Sequence, residues 1–566
     1  MGRLFGTDGA RGVANSEISP ELAMQIGKAV AMVLTDHERR PRVLIGTDTR
    51  ISKDMLECAL AAGLCSVGAD VMTLGVVPTP AVAHLVRSYG YDAAVMISAS
   101  HNPCEYNGIK IFASTGYKLP DAEENKIEAI VLDQAEELPV PIGGDVGTVT
   151  RKTDAVDEYV AHVAASIDVK LDGLRIALDC ANGSSSVTAK KLFAALGADA
   201  EIHCSEPDGV NINENCGSTH IGNLQKIVKE GSFDAGFAFD GDADRCLAVD
   251  NNGNLVDGDY ILAILAEDMM ARGTLKGNAV VGTILTNMGF HKFCGERGMD
   301  FVAAKVGDRY VLEEMLKNGY NLGGEQSGHV IFLDQCTTGD GQLTAVQICG
   351  LLKRSGKPFS DFTDLVKPFP QTMVNVRVSP DGKERLSTCA PVQDAIEAAK
   401  AELKDTGRVI VRTSGTEPLI RVMTEGEDEA KILRIADELA EEHFPVFIGP
   451  SLGHKSKIEL ANKNFTTPGV LNRAGLCVSI ITDAPVIPLR YLPMCAGLAV
   501  NSGLELQEAW KAITINPARS LGVDDRVGSL EPGKDADVVI WTSDPLSRIG
   551  GEAYITIVNG QVVYHR

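Results

Sequence analysis

The chain has 566 residues, too many for one hydrophobic core, so about three to five domains are expected. Hydrophobic residues make up 44% and charged residues 23%, the ordinary mix of a soluble globular protein. With 53 basic against 76 acidic residues the formal charge is -23, which argues against nucleic acid or an anionic membrane as the main partner. An anionic small molecule can still be held by a few local cations and backbone amides. No run approaches the ~20 apolar residues of a membrane span, and the start, Met1 to Asp8, reads as free of a signal peptide. The 13 cysteines stand singly, with no Cys-x-x-Cys pair and no zinc spacing, the pattern of reduced thiols in the cytoplasm.

In chain order, an apolar run at 42–48 predicts a strand, followed by a helix from Ser52, a strand at 70–75, a helix at 79–89 and a strand at 93–98. That order predicts a parallel sheet with right-handed crossovers. It recurs at 174–180, 200–204 and 234–240, and again at 278–285, 300–306 and a short run at 320–322. Each unit ends in a polar, Gly-rich or Ser-rich loop, at 98–103, 240–245 and 323–329. Ligands of open parallel sheets bind beyond the carboxyl ends of the strands, so three such loops predict three domains facing one cleft.

Residues 369–442 differ, with strands at 372–378, 408–412 and 419–423, a loop at 413–418 and a helix from about Asp428, which predict a small α+β domain. After 443 come a strand-like Phe444 to Gly449, a Lys-rich helix, a strand at 476–483, and helices at 488–500 and 505–515. The end is β-rich, with a strand at 536–541 and a hairpin turning at Asn559-Gly560. The expected class is therefore α/β: three repeated βαβαβ-type mixed-sheet domains (1–153, 154–256, 257–368), a small α+β domain (369–442) and a last segment (443–566).

Four loops carry candidate chemistry. Ser98-Ala99-Ser100-His101-Asn102-Pro103 places Ser100 exposed beyond a strand; a plain polar turn would use the same residues, and the glycines of a hydrolase elbow are missing. Asp240-Gly241-Asp242-Ala243-Asp244-Arg245 brings three carboxylates together, which repel unless a cation or solvent separates them. A calcium loop needs Gly sixth and Glu twelfth, where this chain has Arg245 and Asn251, so Mg²⁺ shared with a phosphate oxygen suits the loop better. Gly323-Gly324-Glu325-Gln326-Ser327-Gly328-His329 offers groups for sugar hydroxyls, although a tight turn explains its glycines equally well. Arg412-Thr413-Ser414-Gly415-Thr416-Glu417-Pro418, with Arg421 beyond, offers hydroxyls, amides and guanidinium groups suited to phosphate, without being a Walker loop.

Together, and in this order, the four loops resemble those of the α-D-phosphohexomutases over residues 1–442. Phe5 to Gly12, Gln326, and Val306-Gly307-Asp308-Arg309 fit the branch of that family acting on glucosamine phosphates; glucose or mannose phosphate as substrate, and a silent phosphosugar-binding protein, are the alternatives. The resemblance implies a phosphoserine at Ser100 and one Mg²⁺ on Ser100, Asp240, Asp242 and Asp244. It implies substrate contacts from Arg245, Arg309, Glu325, Ser327, Arg412, Ser414, Gly415, Thr416 and Arg421, and a proton shuttle among Arg11, Lys110 and His329. Glucosamine 6-phosphate and glucosamine 1-phosphate would interconvert through a 1,6-bisphosphate, which could also serve as activator, in the supply of UDP-N-acetylglucosamine. A homodimer is compatible with this reading.

Residues 443–566 resemble the end of an amidohydrolase. Asp483 matches a metal-facing or base position of that family, while Asn516-Pro517-Ala518 and Gly528 to Asp537 match its closing segments. None of the 11 histidines forms the family's His-x-His pair, and only the end of an α/β barrel with a β-rich tail remains, too little to close, so a fusion remnant, a docking module or an open fragment that pairs with another chain is expected rather than a working hydrolase.

Overall fold

The computed structural model describes the chain except residues 1–2, 7, 35–38, 379, 415–418, 442–445, 450–464, 474–475, 485–486 and 548–550. The chain divides into two compact units, Met1–Pro368 and Phe369–Arg566. The Lys-rich helix expected after Gly449 lies outside the described residues. Among those described, no helix is long and apolar enough to cross a membrane.

The first unit holds three sheets. Ala10–Val13 (β1), Arg42–Thr47 (β2), Asp70–Val76 (β3), Ala93–Ile97 (β4), Tyr106–Ala113 (β5) and Val149–Arg151 (β6) form the first, in the order β1-β5-β4-β2-β3-β6. β2 pairs in parallel with both β3 and β4, and β5 returns antiparallel against β4. Arg175–Asp179 (β7), Asp199–His203 (β8), Ala235–Phe239 (β9), Cys246–Asp250 (β10) and Leu255–Val256 (β11) form the second, in the order β11-β10-β9-β7-β8. Ala279–Thr283 (β12), Asp300–Ala304 (β13), Leu322–Gly324 (β14) and Val330–Phe332 (β15) form the third, in the order β13-β12-β14-β15.

In each sheet the first parallel strand lies between the next two, so the crossovers diverge at its edge. The loops after β4, β9 and β14 each leave at such a switch point, where ligand sites of open α/β sheets form. The parallel strands and the helix Thr79–Tyr89 fall where the periodicity placed them. What the pattern missed is the antiparallel return strand after each loop, β5, β10 and β15, which turns each loop into a hairpin end. Gly323 and Gly324 are a second difference: they lie in β14, where a Cβ would come within 2.7 Å of Met315 Sδ and 2.4 Å of the His329 carbonyl. Close packing, not a turn, requires those glycines. The sheets share one continuous core running from Leu44 and Met96 through Phe237 and Ile261 to Leu322 and Val366.

In the second unit, Gln371–Arg377 (β16), Gly407–Thr413 (β17) and Leu419–Gly426 (β18) form an antiparallel sheet in the order β16-β18-β17. The helices Ala390–Leu403 and Glu429–Glu441 contribute Ile396, Leu403, Ile432 and Ile435 to its core, and the first of them escaped the sequence reading. Val446–Ile448 (β19) and Val478–Ile480 (β20) pair in parallel as an isolated two-stranded sheet. Val538–Trp541 (β21), Ala553–Val558 (β22) and Gln561–His565 (β23) form an antiparallel sheet whose turn has positive φ at both Asn559 (49°) and Gly560 (77°), as a type I′ hairpin requires.

The helices Pro20–Val33 and Lys53–Ser66 cross at backbone contact: a Cβ on Gly63 would lie 2.1 Å from the Met24 carbonyl oxygen, and one on Gly27 2.5 Å from that of Leu60. Gly63→Val should therefore destabilise the first unit by about 3 kcal/mol through overpacking. Gly144→Ala, with nothing within 4 Å, should be neutral. Chemical denaturation of the two variants beside the parent chain checks this; equal midpoints would contradict it.

Candidate active site

The site is built on the exit of β2. Gly46-Thr47-Asp48-Thr49-Arg50 delivers a buried ion pair, with Arg50 Nε donating to Asp48 Oδ2 at 2.8 Å. The rest of the guanidinium group gathers four carbonyl oxygens of the hairpin loop between β4 and β5: Ser100 (3.0 Å), Asn102 (2.8 Å), Tyr106 (3.0 Å) and Pro103. Asp48 Oδ2 accepts the Ser98 hydroxyl at 2.6 Å, and Ser98 Oγ accepts the Ser100 N–H at 3.0 Å. This framework holds Ser100 at φ 52°, a left-handed conformation that serine rarely adopts unaided.

Ser100 is not exposed, as its strand-end setting predicts, but fully buried (0%). The loop after β9 covers it: Ser100 Oγ donates to Asp240 Oδ2 at 2.6 Å, and a Cβ on Gly241 would come within 2.6 Å of the Ser100 carbonyl oxygen. Only glycine allows so close an approach. Asn213 Nδ2, from the loop after β8, completes the clamp on the carbonyls of Ser100 (2.9 Å) and Asn102 (3.0 Å).

Asp240, Asp242 and Asp244 are all buried, and one oxygen from each lies within 4.8 Å of the others. Their repulsion is met by cations from the first sheet and from their own loop. Lys110, on β5, lies 2.7 Å from Asp242 Oδ2, 3.2 Å from Asp244 Oδ2 and 3.1 Å from Asp8 Oδ2. Thr79, opening its helix, donates its hydroxyl to Asp242 Oδ2 at 2.5 Å. Burial, Asp244 and Asp242 push Asp240 up to about 7. Burial would raise Asp244 as well, but Lys110, His329 and Arg245 hold it well below the usual carboxylate range. Lys110 is raised because Asp242 and Asp244 outweigh its burial. Asp242 Oδ1 and Asp244 Oδ1 are buried without a hydrogen-bond partner, so the donor set retains oxygen capacity for a hard divalent cation.

Arg245 Nη1 donates to His101 Nδ1 at 2.8 Å, and that nitrogen lies 3.3 Å from Ser100 Oγ. Burial, Arg245 and Arg11 lower His101 to about 4, keeping its ring neutral. Arg11, beside Asp8, shares the field of the three aspartates. His329 is buried, with Nδ1 3.8 Å from Asp244 Oδ1 and Nε2 accepting the Gly339 N–H at 3.0 Å. Glu325 Oε1 accepts the Gly307 N–H at 3.0 Å, Ser327 is exposed, and Gln326 Nε2 donates to Asp257 Oδ2 at 3.2 Å. Arg309 turns to Asp121 and to Glu124, 2.8 Å away, on the helix Asp121–Asp133.

Of the second unit's candidates, Arg412 and Arg421 face each other in register across β17 and β18, and Ser414 is buried with its N–H on the Leu419 carbonyl at 2.8 Å. Gly415 and Thr416 lie outside the described residues. Asp483 is exposed on the turn after β20 at φ 51°. Sequence reasoning missed Asp48, Arg50, Asn213 and His101. Only His101 carried a usable signal, its place beside Ser100.

The phosphoglucomutase/phosphomannomutase family matches in four parts: alpha/beta/alpha domain I over residues 2–138, domain II over 157–253, domain III over 257–369, and the C-terminal domain over 373–442. The amidohydrolase family matches residues 452–563. The phosphoglucosamine mutase of Caldanaerobacter subterraneus subsp. tengcongensis is 52% identical over 441 residues, covering 78% of this chain and 98% of the relative. Among solved structures, a phosphoglucomutase/phosphomannomutase family protein from Burkholderia thailandensis aligns with a TM-score of 0.65 at 25% identity, covering 77% of this chain and 95% of its own. Aspergillus fumigatus N-acetylphosphoglucosamine mutase, in complex with GlcNAc-6P and magnesium, shares the fold with a TM-score of 0.54 at 16% identity, covering 77% of this chain and 94% of its own.

Replacing Arg50 by Met should leave Asp48 buried without its cation, at a cost of about 3–5 kcal/mol. The four released carbonyls should open residues 100–106 to protease. Limited proteolysis with mass mapping, beside chemical denaturation, checks both effects; a protected loop of unchanged stability would contradict them.

Proposed function

The chain belongs, over residues 2–442, to the phosphoglucomutase/phosphomannomutase family and within it to the phosphoglucosamine mutases, and on that premise we propose that it interconverts glucosamine 6-phosphate and glucosamine 1-phosphate through a phosphorylated Ser100. The observation that carries this reading is the meeting of Ser100 with the carboxylates of Asp240, Asp242 and Asp244 across two sheets.

Phosphorylation of Ser100 would add close to two negative charges and three acceptor oxygens beside those carboxylates. Such a site is workable only with added positive charge. Asp240, Asp242 and Asp244, with a phosphoserine oxygen, would hold Mg²⁺, which when bound supplies charge neutralisation to the transferring group. Arg245 and Arg11 add fixed positive charge, and Arg50 and Asn213 hold the Ser100 backbone against displacement.

Transfer then follows from positioning. The C1 hydroxyl of glucosamine 6-phosphate attacks the phosphorus, the P–O bond to Ser100 breaks, and the hydroxyl proton is taken up by a side chain of the site or by water. After the bisphosphate reorients, Ser100 recovers a phosphoryl group from the 6-position and glucosamine 1-phosphate leaves. Glu325 and Ser327 are proposed to hold sugar hydroxyls in both orientations. Arg412, Ser414, Gly415, Thr416 and Arg421 are proposed to take the phosphate that is not being transferred, and Lys110 and His329 to organise charge and protons.

A coupled assay with Mg²⁺ and glucosamine 6-phosphate, run beside mannose and glucose phosphates, tests the assignment. The amino sugar should give the highest kcat/KM, phosphate should map to Ser100, and Ser100→Ala should lose both label and turnover. Full turnover by the Ala variant would overturn the mechanism, whereas faster conversion of another hexose phosphate would reassign only the substrate.

The segment after 443 should be dispensable. Its own core, Val478, Ile480, Cys495, Ala509 and Leu546, is separate from that of the preceding small domain. Chain termination at 443 should leave turnover within about twofold, because the loops proposed to act all precede it. Light scattering should show less association, since Val562, Val563 and Tyr564 are exposed on β23. Loss of turnover in a folded truncated chain would contradict this.

A further inference from the structure

One cluster of reactive side chains is left unused by this chemistry. Cys204 directly follows β8, and Cys216 lies in the loop that returns toward β9. Their sulfurs and an oxygen of Asp179 lie within 4.8 Å of one another. The two thiols face each other, and Asn182 Nδ2 donates to Cys216 Sγ at 3.9 Å. Their exposure is unequal: Cys216 is buried (2%), whereas Cys204 is half-buried. A reachable thiol beside a sheltered one is the arrangement in which a first oxidation can be captured by a second sulfur.

The surrounding backbone ties this pair to the active site. Asn182 N–H donates to the Cys204 carbonyl at 2.6 Å, and Asn213 N–H to that of Ala181 at 2.9 Å. Ala181, Asn182, Cys204, Asn213 and Asn215 all hold positive φ, so hydrogen bonds rather than intrinsic preference maintain these turns. Three residues before Cys216, Asn213 holds the carbonyls of Ser100 and Asn102. Asp179 already accepts the Ala181 N–H and the Gly217 N–H, both at 2.9 Å. That commitment of the carboxylate favours thiol chemistry over metal ligation.

We propose that Cys204 and Cys216 form a reversible disulfide, and that closing it displaces Asn213 from the Ser100 loop and slows phosphoryl transfer. The co-reactant is a small-molecule disulfide. Cys204 is the more exposed of the two and is lowered by its interaction with Cys216, which makes it the attacking group, whereas Cys204 and burial hold Cys216 above the ordinary thiol range, so that it reacts second. Cys204 thiolate attacks one sulfur of the reagent, forming a mixed disulfide and releasing one thiolate. Cys216 then gives up its proton to the thiolate already released and attacks Cys204 Sγ, and the second reagent thiolate leaves. The two cysteines lose two electrons and two protons, and the reagent is reduced to two thiols. Sulfurs that lie within 4.8 Å must close to about 2.05 Å, drawing the loop toward the end of β8. The bond itself is independent of the proposed function; its effect on turnover rests on that function.

The test incubates the full chain with oxidised glutathione, maps its peptides without reduction, and assays glucosamine 6-phosphate turnover before and after dithiothreitol. A cross-linked Cys204–Cys216 peptide is expected, with turnover reduced about tenfold or more and then restored, because displacement of a positioning group by about 1 Å can cost up to about a hundredfold in rate. Cys204→Ser and Cys216→Ser should be active and resist the reagent. Absence of the cross-linked peptide, unchanged turnover in its presence, equal inactivation of either Ser variant, or stoichiometric zinc protecting both thiols would overturn the proposal. A reduced parent chain with no turnover would instead count against the mutase reading, and the peptide map would still decide the bond.

Discussion

Three carboxylates buried within reach of one another are the constraint around which the first unit is organised. Each would cost several kcal/mol to remove from water unpaired. Asp240, Asp242 and Asp244 cannot be satisfied by their own sheet, since Arg245 is the only cation their six-residue loop supplies. Lys110 and Thr79 come from the first repeat, on β5 and at the start of a helix, and His329 from the loop before β15 in the third. Docking the sheets is therefore an electrostatic requirement as well as a hydrophobic one. The shared core supplies the area, and the carboxylates fix the register.

The divergence of Asp240 and Asp244 follows from the same arrangement. Lys110 and His329 hold Asp244 low against its burial, whereas burial and the charges of Asp244 and Asp242 raise Asp240 despite the hydrogen bond it accepts from Ser100. One loop thus shifts two carboxylates in opposite directions, according to whether cations or other carboxylates dominate their surroundings.

Much of this was legible in the residues. Period and length located the parallel strands, and the loops that follow β4, β9 and β14 were the loops singled out from composition. Asn559-Gly560 named its own turn type. The missing parts are those that depend on a second segment. Burial of Ser100 comes from Gly241, which lies 141 positions later (241 minus 100) and closes on it only after the sheets dock. Arg50 reads as an ordinary polar loop residue until four carbonyl oxygens converge on it. The return strands β5, β10 and β15 are short runs beside polar loops, and a local pattern does not reveal their partner. In the last segment, β19 and β20 stand as a parallel pair with no third strand among the described residues, and Asp483 beside them is exposed.

The Ser100 carbonyl has two holders, Arg50 from its own sheet and Asn213 from the next. The segment 98–106 is thus the common property of two sheets, although the chain writes them as successive repeats. Inheritance should respect that ownership. A recombination joining the first repeat of one relative to the second of another imports a serine loop shaped for a foreign asparagine, even when both crossover points fall in tolerant linkers. The smallest part of this chain that could be exchanged with the support of its serine loop intact is therefore the pair of sheets.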